Sequence, residues 1–134
     1  MAVAVSSAWA PRMRALLRIV TGLLFLLHGT QKLFAFPDPS QAMPHLPPLM
    51  MVAAIIELVC GALLAIGLLT RFAAFVAAGE MAVAYFKAHA PHNFWPTMNQ
   101  GELAVLYCFV FLYFAFAGAG AWSIDGLIGK NRAR

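Results

Sequence analysis

Acidic and basic side chains interrupt the long apolar runs of this sequence at a few positions. Glu57 and Glu80 each lie about nine residues inside an apolar run, His28 and Lys32 lie near the end of an earlier run, and Glu102 begins the last one. An ionised group at the centre of a membrane costs about 2.5–3.5 kcal/mol even on the mildest scales. Such groups must face a protein interior, where carboxylates and an imidazole can bind ligands or handle protons.

Three interpretations of these charges remain open. In the functional one, they surround a polar cavity that opens toward the outer side of a membrane and binds a small molecule or a quinone head group, with His28 and Glu57 as its titratable pair. In the structural one, they only fix helix register and pairing. The third is a pathway for protons or ions, which in so short a chain requires an oligomer.

The composition indicates that lipid, and not water, surrounds most of this protein. The 134 residues are 63% hydrophobic and only 10% charged, whereas soluble domains average about 45–50% apolar and 25% charged residues. A soluble domain of this size leaves much of its surface in water, so we expect an integral membrane protein surrounded by lipid. The net charge of +4 does not predict nucleic-acid binding, because the basic residues flank the apolar runs as membrane anchors do.

Four apolar runs approach the length of about 20 residues that crosses a bilayer core. Together they form one transmembrane domain, residues 15–125, and they predict helices at about 15–34, 48–69, 71–88 and 101–119. The link between the second and third helices is so short that these two must form an antiparallel hairpin. The predicted fold class is therefore an all-α membrane protein, an antiparallel bundle of four transmembrane helices.

Lysine and arginine are distributed unevenly between the two sides of this bundle. Because positive residues concentrate on the cytoplasmic side, the N-terminal tail (1–14) and the basic C-terminal tail (126–134) are both predicted to be cytoplasmic. Only Lys32 and Lys87 then lie outside. Seven basic residues lie inside: Arg12, Arg14, Arg18, Arg71, Lys130, Arg132 and Arg134. Residues 1–11 contain no basic segment followed by an apolar one, as a signal peptide would, so we expect no cleavage there.

Helical spacing places the charges on faces that can pack. Small residues recur every fourth position around Glu57, at Ala53, Gly61 and Ala65, which allows close approach of another helix. On the first helix, Arg18, His28 and Lys32 share one face. By depth, we expect His28 and Lys32 near Glu57, and Glu102 near Lys32 or Lys87. The candidates for purely structural charges are Arg18, Arg71 and Asp125.

Residue types that often bind metals or carry redox chemistry predict no site here. Cys60 and Cys108 belong to no Cys-x-x-Cys or Cys-His motif and are interpreted as small buried residues. His89 and His92 have no nearby carboxylate or cysteine and are interpreted as ordinary loop histidines. With no cofactor fingerprint or nucleophile motif either, we expect no metal and no enzyme that acts alone.

Short motifs follow one another along the chain in a characteristic order. They are Arg18 with Gly22, His28-Gly29-Thr30-Gln31-Lys32-Leu33-Phe34, Glu57-Leu58-Val59-Cys60-Gly61, Gly67-Leu68-Leu69-Thr70-Arg71, Met81-Ala82-Val83-Ala84, Asn99-Gln100-Gly101-Glu102 and Gly120-Ala121-Trp122-Ser123-Ile124-Asp125. In this order and spacing the chain resembles the DoxX family of bacterial membrane proteins, from Arg18 to Asp125. The resemblance implies a four-helix fold in the cytoplasmic (inner) membrane.

The resemblance also implies a redox context. Relatives include a subunit of thiosulfate:quinone oxidoreductase and proteins that associate with superoxide dismutase and a sulfurtransferase. We therefore predict a membrane subunit or anchor of a quinone-linked, sulfur or oxidative-stress system, with a redox protein as candidate partner and a homo-oligomer as candidate assembly. In this hypothesis His28 or Lys32 hydrogen-bonds a quinone carbonyl, and Glu57 exchanges the proton. The alternatives are a non-catalytic scaffold and an oligomeric transporter or channel.

Overall fold

The computed structural model describes the backbone of residues 2–132 and the side chains of residues 7–132. All regular elements of this part are helical, which confirms the prediction of an all-α protein. A 3-10 turn, Pro39–Gln41, lies between the first two helices, and a π-helical turn, Tyr85–His89, extends the third. The helices are α1 (Ala2–Phe34), α2 (Pro48–Ile66), α3 (Thr70–Ala84), the short α4 (Pro96–Asn99), α5 (Glu102–Ala117) and α6 (Ile124–Arg132).

The helices differ from the predicted spans at their ends. The predicted tail 1–14 is helical from Ala2, because its many alanines favour a helix that hydropathy does not reveal. Most of the predicted tail 126–134 belongs to α6, whereas Arg134 lies outside the described residues. Helix α2 stops at Ile66, short of the predicted end, because Gly67 adopts the left-handed conformation with φ 71°, a common way to end a helix.

Helices α1 and α2 pack through glycines. A Cβ atom on Gly22 would lie 2.7 Å from the backbone N of Ala65, and one on Gly61 would lie 2.7 Å from the backbone N of Leu26. Such distances leave no room for a side chain, so the backbones of the two helices touch. The stripe of small residues around Glu57 is thus part of the contact with α1.

Helices α3 and α5 form the other close pair. Ala73 and Ala77 of α3 are fully buried, as are Phe111 and Phe114 of α5. Phe25 of α1 joins the two pairs, because its ring centroid lies 4.7 Å from that of Phe111 in an edge-to-face contact. Small side chains on one helix and aromatic rings on its neighbours therefore fill the core.

The outer surface of the helices is apolar. Phe72, Phe75, Phe109 and Phe116 are each at least 65% exposed, which water would not favour. By length and composition, Pro48–Ile66 is the one helix of the described residues that could cross a membrane, and Glu102–Ala117 is a shorter apolar helix.

Candidate functional site

A cavity of about 670 Å³ lies between α1, α2, α3 and α5, at the end of the bundle where α1 ends and α2 begins. This volume is typical of small-molecule sites. Most of the wall is apolar and includes Phe25, Ile56, Met81 and Leu103. The polar side chains that line it are His28, Lys32, Glu57, Glu80, Lys87, His89, Gln100 and Tyr107.

Lys32 and Glu57 form an ion pair in the cavity wall. Lys32 Nζ donates to Glu57 Oε1 at 2.6 Å, and Glu57 is only 1% exposed. The glycines of the helix contact bring the two together, because a Cβ on Gly29 would lie 2.7 Å from the backbone N of Leu58. The expectation that Lys32 lies near Glu57 therefore matches the geometry.

Two carboxylate oxygens at the cavity are buried without a hydrogen bond. Of the buried side-chain nitrogen and oxygen atoms in residues 7–132, only Glu57 Oε2, Glu80 Oε2 and Thr70 Oγ1 lack a partner. We call the first two the open carboxylate oxygens. Glu80 lies on α3 and interacts electrostatically with Glu57 and Lys32. The cavity thus brings three of the predicted site residues together around acceptors that could bind a ligand.

His28 lies on the exposed side of the cavity wall. Its Nδ1 lies 2.9 Å from the carbonyl oxygen of Leu24, and its ring packs edge-to-face on Tyr107 at 5.9 Å. Because a carbonyl oxygen only accepts, Nδ1 must carry the proton and donate.

Glu102 stands apart from the other predicted site residues. It is the first residue of α5, is exposed and does not line the cavity. It forms no ion pair with Lys32 or Lys87 in the part of the chain that the structure describes. Lys32 is engaged by Glu57 instead, and Glu102 is exposed.

The loop before α5 holds the rim of the cavity. Asn99 is buried, and its Nδ2 donates to the carbonyl of Asn93 at 2.6 Å and to Tyr85 Oη at 3.2 Å. Its Oδ1 accepts from the backbone N–H of Gly101 at 2.8 Å, and its carbonyl oxygen lies 3.0 Å from His89 Nδ1. From the sequence alone, Asn99 is only part of a motif, and these hydrogen bonds indicate a structural role for it.

Arg18 lies at the opposite end of the bundle, fully buried. All five of its N–H groups are directed at main-chain carbonyls. Nη1 donates to Leu64 and Ala65 in the last turn of α2, at 2.6 and 2.9 Å. The other nitrogens donate to the segment after α5, to Ala119, Ala121 and Trp122 at 2.9, 3.2 and 2.8 Å. Arg18 thus satisfies carbonyls that a helix end leaves free.

Two more arginines bind the end of α5. Arg71 Nη1 donates to the carbonyl of Phe116 at 2.6 Å, and Arg14 Nη1 donates to that of Ala117 at 2.9 Å. Cations are favourable at helix C-termini because the peptide dipoles place negative charge there. From the sequence, Arg14 is expected only as a membrane anchor, because its carbonyl partner is remote along the chain.

Asp125 completes what we call the arginine cluster, Arg14, Arg18, Arg71 and Asp125. Its two carboxylate oxygens accept from the backbone N–H groups of Leu69 and Thr70, at 2.8 and 2.9 Å, and so cap α3. Burial opposes ionisation of Asp125, but these hydrogen bonds and the charge of Arg18 outweigh it, so its pKa is lowered from the ordinary value.

The all-helical fold together with the comparisons with known proteins indicates a helical membrane protein. The DoxX family model matches residues 13–90. An uncharacterized protein of Haemophilus influenzae is 45% identical over 128 residues, which cover 92% of this chain and 96% of that protein. An uncharacterized membrane protein of Mycobacterium tuberculosis is 30% identical over 134 residues, which cover 86% of this chain and 80% of that protein. No solved structure matches the chain. The chain belongs to the DoxX family.

Proposed function

We propose that this chain is the membrane subunit or anchor of a redox system in the bacterial inner membrane, and that its cavity holds the head group of a quinone. The observation that carries the proposal is the Lys32–Glu57 ion pair beside the open carboxylate oxygens in a mostly apolar cavity. Buried polar atoms are almost always hydrogen-bonded in proteins, so the exceptions call for an explanation. A ligand that carries hydrogen-bond donors on an apolar ring would supply the missing partners.

The walls suit such a ring. Phe25, Met81 and Tyr107 offer aromatic and thioether surface, against which a flat conjugated ring packs well. One N–H of Lys32 is used by Glu57, and an ammonium has two more to donate to a ring oxygen. Glu57 then exchanges the proton that accompanies electron transfer, while the electrons pass to or from a partner protein.

We further propose that the chain spans the membrane four times, with both termini cytoplasmic. Helix α3 and the π-helical turn that extends it form one unit from Thr70 to His89, about 30 Å long and so close to the thickness of a bilayer core. The bands of exposed apolar side chains support lipid contact around α1, α2, α3 and α5. The excess of basic residues at the end with the arginine cluster supports this orientation.

Cysteine labelling of intact cells tests this topology. In Ser40→Cys, at an exposed position between α1 and α2, we expect labelling by a membrane-impermeant maleimide. In the matched variant Asn131→Cys, also exposed, we expect labelling only after permeabilisation, and a reporter fused after Arg134 should be active only in the cytoplasm. The reverse labelling would refute the orientation, and labelling of both in intact cells would refute the four spans.

Direct binding tests the cavity. Purified protein in nanodiscs should bind decylubiquinone with a dissociation constant in the micromolar range, read from quenching of tryptophan and tyrosine fluorescence. Glu57→Gln and His28→Ala should each shift the dissociation constant severalfold, because each alters a polar group of the cavity wall. Glu102→Gln is the matched control, since it removes a carboxylate at the same end of the bundle but outside the cavity.

A pair of substitutions at Gly79 separates loss of binding from loss of fold. Gly79 lines the cavity, and apart from its chain neighbours and the adjacent backbone of its own helix no heavy atom of the described residues lies within 4 Å of a Cβ built there. Gly79→Phe should therefore fill the cavity and abolish binding without disturbing the helices, whereas Gly79→Ala should bind normally. If Gly79→Phe, Glu57→Gln and His28→Ala all bind quinone like the unaltered protein, the proposed site is wrong.

A pull-down from native membranes in mild detergent tests the partner. We expect an oxidoreductase, sulfurtransferase or dismutase to co-purify in fixed proportion to the tagged chain. Isolation of the chain alone would argue against a subunit of a redox complex, and failure of quinone binding as well would leave the non-catalytic scaffold, for which the fully hydrogen-bonded Arg18 is the favouring observation.

A further inference from the structure

We propose that the cavity selects ligands that donate hydrogen bonds, so that within the quinone class it binds the reduced quinol more tightly than the oxidised quinone. This inference rests on the proposed quinone site. It concerns which redox form the cavity holds, and it follows from the balance of donors and acceptors around the cavity.

The first step is the open oxygen of Glu57. This residue is 1% exposed, and Lys32 binds only its Oε1. Oε2 of an ion-paired carboxylate is an acceptor. A buried acceptor that stays without a donor costs about 1–3 kcal/mol, and more when it is charged. A ligand that donates a hydrogen bond to Oε2 removes this cost and so binds more tightly than a ligand without a donor.

The second step is His28. Because its Nδ1 donates to the carbonyl of Leu24, Nε2 of the neutral ring has a lone pair and only accepts. The neutral imidazole therefore does not provide the donor that a quinone carbonyl needs. This reverses the role that the sequence analysis expected for His28.

The third step is the count of donors. Glu80 supplies the second open carboxylate oxygen. The donors that also line the cavity are Lys32, Lys87, Gln100 and Tyr107. Both redox forms of the ligand can accept from these donors, so they do not distinguish the two forms. The oxygens of a quinone accept only, whereas the two hydroxyls of a quinol donate as well as accept. A quinol can therefore satisfy an open carboxylate oxygen and still accept from Lys32, but a quinone leaves both open oxygens without a donor.

Anaerobic titration with decylubiquinol and decylubiquinone tests the preference. We expect the quinol to bind about tenfold more tightly to the unaltered protein in nanodiscs, which corresponds to one added hydrogen bond to a charged acceptor. Tighter binding of the reduced form also raises the midpoint potential of the bound couple, by about 30 mV for a tenfold ratio. Potentiometric titration of the bound quinone measures this independently.

Substitution of the acceptors should remove the preference. In Glu80→Gln and Glu57→Gln an amide that can donate replaces the carboxylate, and we expect the ratio of quinone to quinol dissociation constants to fall at least threefold. Glu80→Gln leaves the Lys32–Glu57 pair intact, so it keeps the test usable if Glu57→Gln folds poorly. Glu102→Gln should keep the ratio of the unaltered protein.

The outcomes separate this inference from the quinone site itself. A quinol preference that the Gln variants reduce supports the inference. Equal or tighter binding of the quinone overturns the inference and leaves the site in place. A quinol preference that neither Gln variant changes also overturns it, because the open carboxylate oxygens would then not be its cause. Binding of neither form overturns the site and the inference together.

Discussion

The two ends of this bundle both contain buried charges, but they use them differently. At one end, all five N–H groups of Arg18 meet main-chain carbonyls, and both oxygens of Asp125 meet backbone N–H groups. At the other end, the cavity holds the Lys32–Glu57 pair together with the open carboxylate oxygens. The charged groups of the arginine cluster are hydrogen-bonded to the chain itself, whereas those of the cavity include acceptor oxygens that no donor of the described residues satisfies.

This difference separates a structural role from a binding role. A polar group that is buried and fully bonded stabilises the arrangement that satisfies it. A polar group that is buried and open destabilises the fold and persists where something else selects it, such as a ligand. Substitutions in the arginine cluster should therefore lower stability, and joint apolar replacement of the paired charges at the cavity should mainly change binding.

Arg18→Met should have the largest effect. It leaves five carbonyls without their donor, at about 1 kcal/mol or more each, so we expect a loss of about 5 kcal/mol in the free energy of unfolding and poor recovery from membranes. Arg18→Lys should rescue little, because an ammonium has three donors where the guanidinium has five. Thermal unfolding in detergent measures both.

Arg12→Met is the matched control for Arg18. Arg12 lies on the same helix, is exposed and contacts the ring of Trp9 at 5.2 Å. An exposed contact of this kind is worth about 0.5–1 kcal/mol, so the melting temperature of Arg12→Met should stay close to that of the unaltered protein. An equal loss in both variants would refute the assignment of a structural role to the Arg18 hydrogen bonds.

Lys32→Met should have the next largest effect. It leaves Glu57 buried with both oxygens open, and removal of one partner from a buried pair costs about 3 kcal/mol or more. The double variant Lys32→Met with Glu57→Leu should recover most of that stability, because apolar replacements of a buried pair are often neutral. The same double variant should bind no quinone.

The double variant is the sharpest test of the comparison between the two ends. Recovered stability with lost binding is the outcome that a binding role predicts. If the double variant is as unstable as the single one, the cavity charges support the fold just as the arginine cluster does, and the contrast between the two ends fails.

Substitution of two glycines should show a smaller difference in stability, between the tight contact of α1 with α2 and the open space beside Gly79. Gly22→Ala places a Cβ 2.7 Å from the backbone of α2, and overpacking of this kind costs about 1–3 kcal/mol. Gly79→Ala meets open space and should be neutral or stabilising by up to about 1 kcal/mol, because alanine favours the helix. A comparable loss in both variants would contradict the difference in packing.

The sequence predicted much of this fold, for identifiable reasons. The all-helical class and the short connection between α2 and α3 follow from composition and apolar runs. The end of α2 does not, because Gly67 lies within an apolar run and hydropathy does not reveal its left-handed conformation. Helix α6 is predicted as a tail, because Ile124–Arg132 has too few apolar residues to be recognised as a helix. The short α4 is predicted as a loop, because the four residues Pro96–Asn99 carry no periodicity.

The site was predicted in its residue types but not in its geometry. Helical spacing placed Lys32 and Glu57 at one depth, which was enough to expect them close together. Spacing does not show which oxygen of Glu57 lacks a hydrogen bond. It also does not show that His28 Nδ1 bonds to the carbonyl oxygen of Leu24 in its own helix. The contacts of the arginine cluster are harder to predict from the sequence. Arg18 binds main-chain carbonyl groups, which every residue carries, so no sequence motif identifies its partners.

The smallest expected effect concerns Asp125 and pH. At pH 7, Asp125→Ala should lower stability by about 1 kcal/mol, a usual loss for a helix N-cap. The pKa of Asp125 is lowered in the folded protein from an ordinary value of 3.8, so the stability due to its charge is complete above that value and is lost as the pH falls through the lower, folded-state pKa.

The difference in melting temperature between the unaltered protein and Asp125→Ala should therefore be constant from pH 7 to about pH 5 and shrink below about pH 4. Every other acidic residue is common to both proteins, so its contribution cancels in this difference. A gap that stays the same at pH 3 would mean that Asp125 acts through its shape and not its charge. In that case the arginine cluster would depend on arginine donors alone, and the electrostatic part of its contrast with the cavity would be wrong.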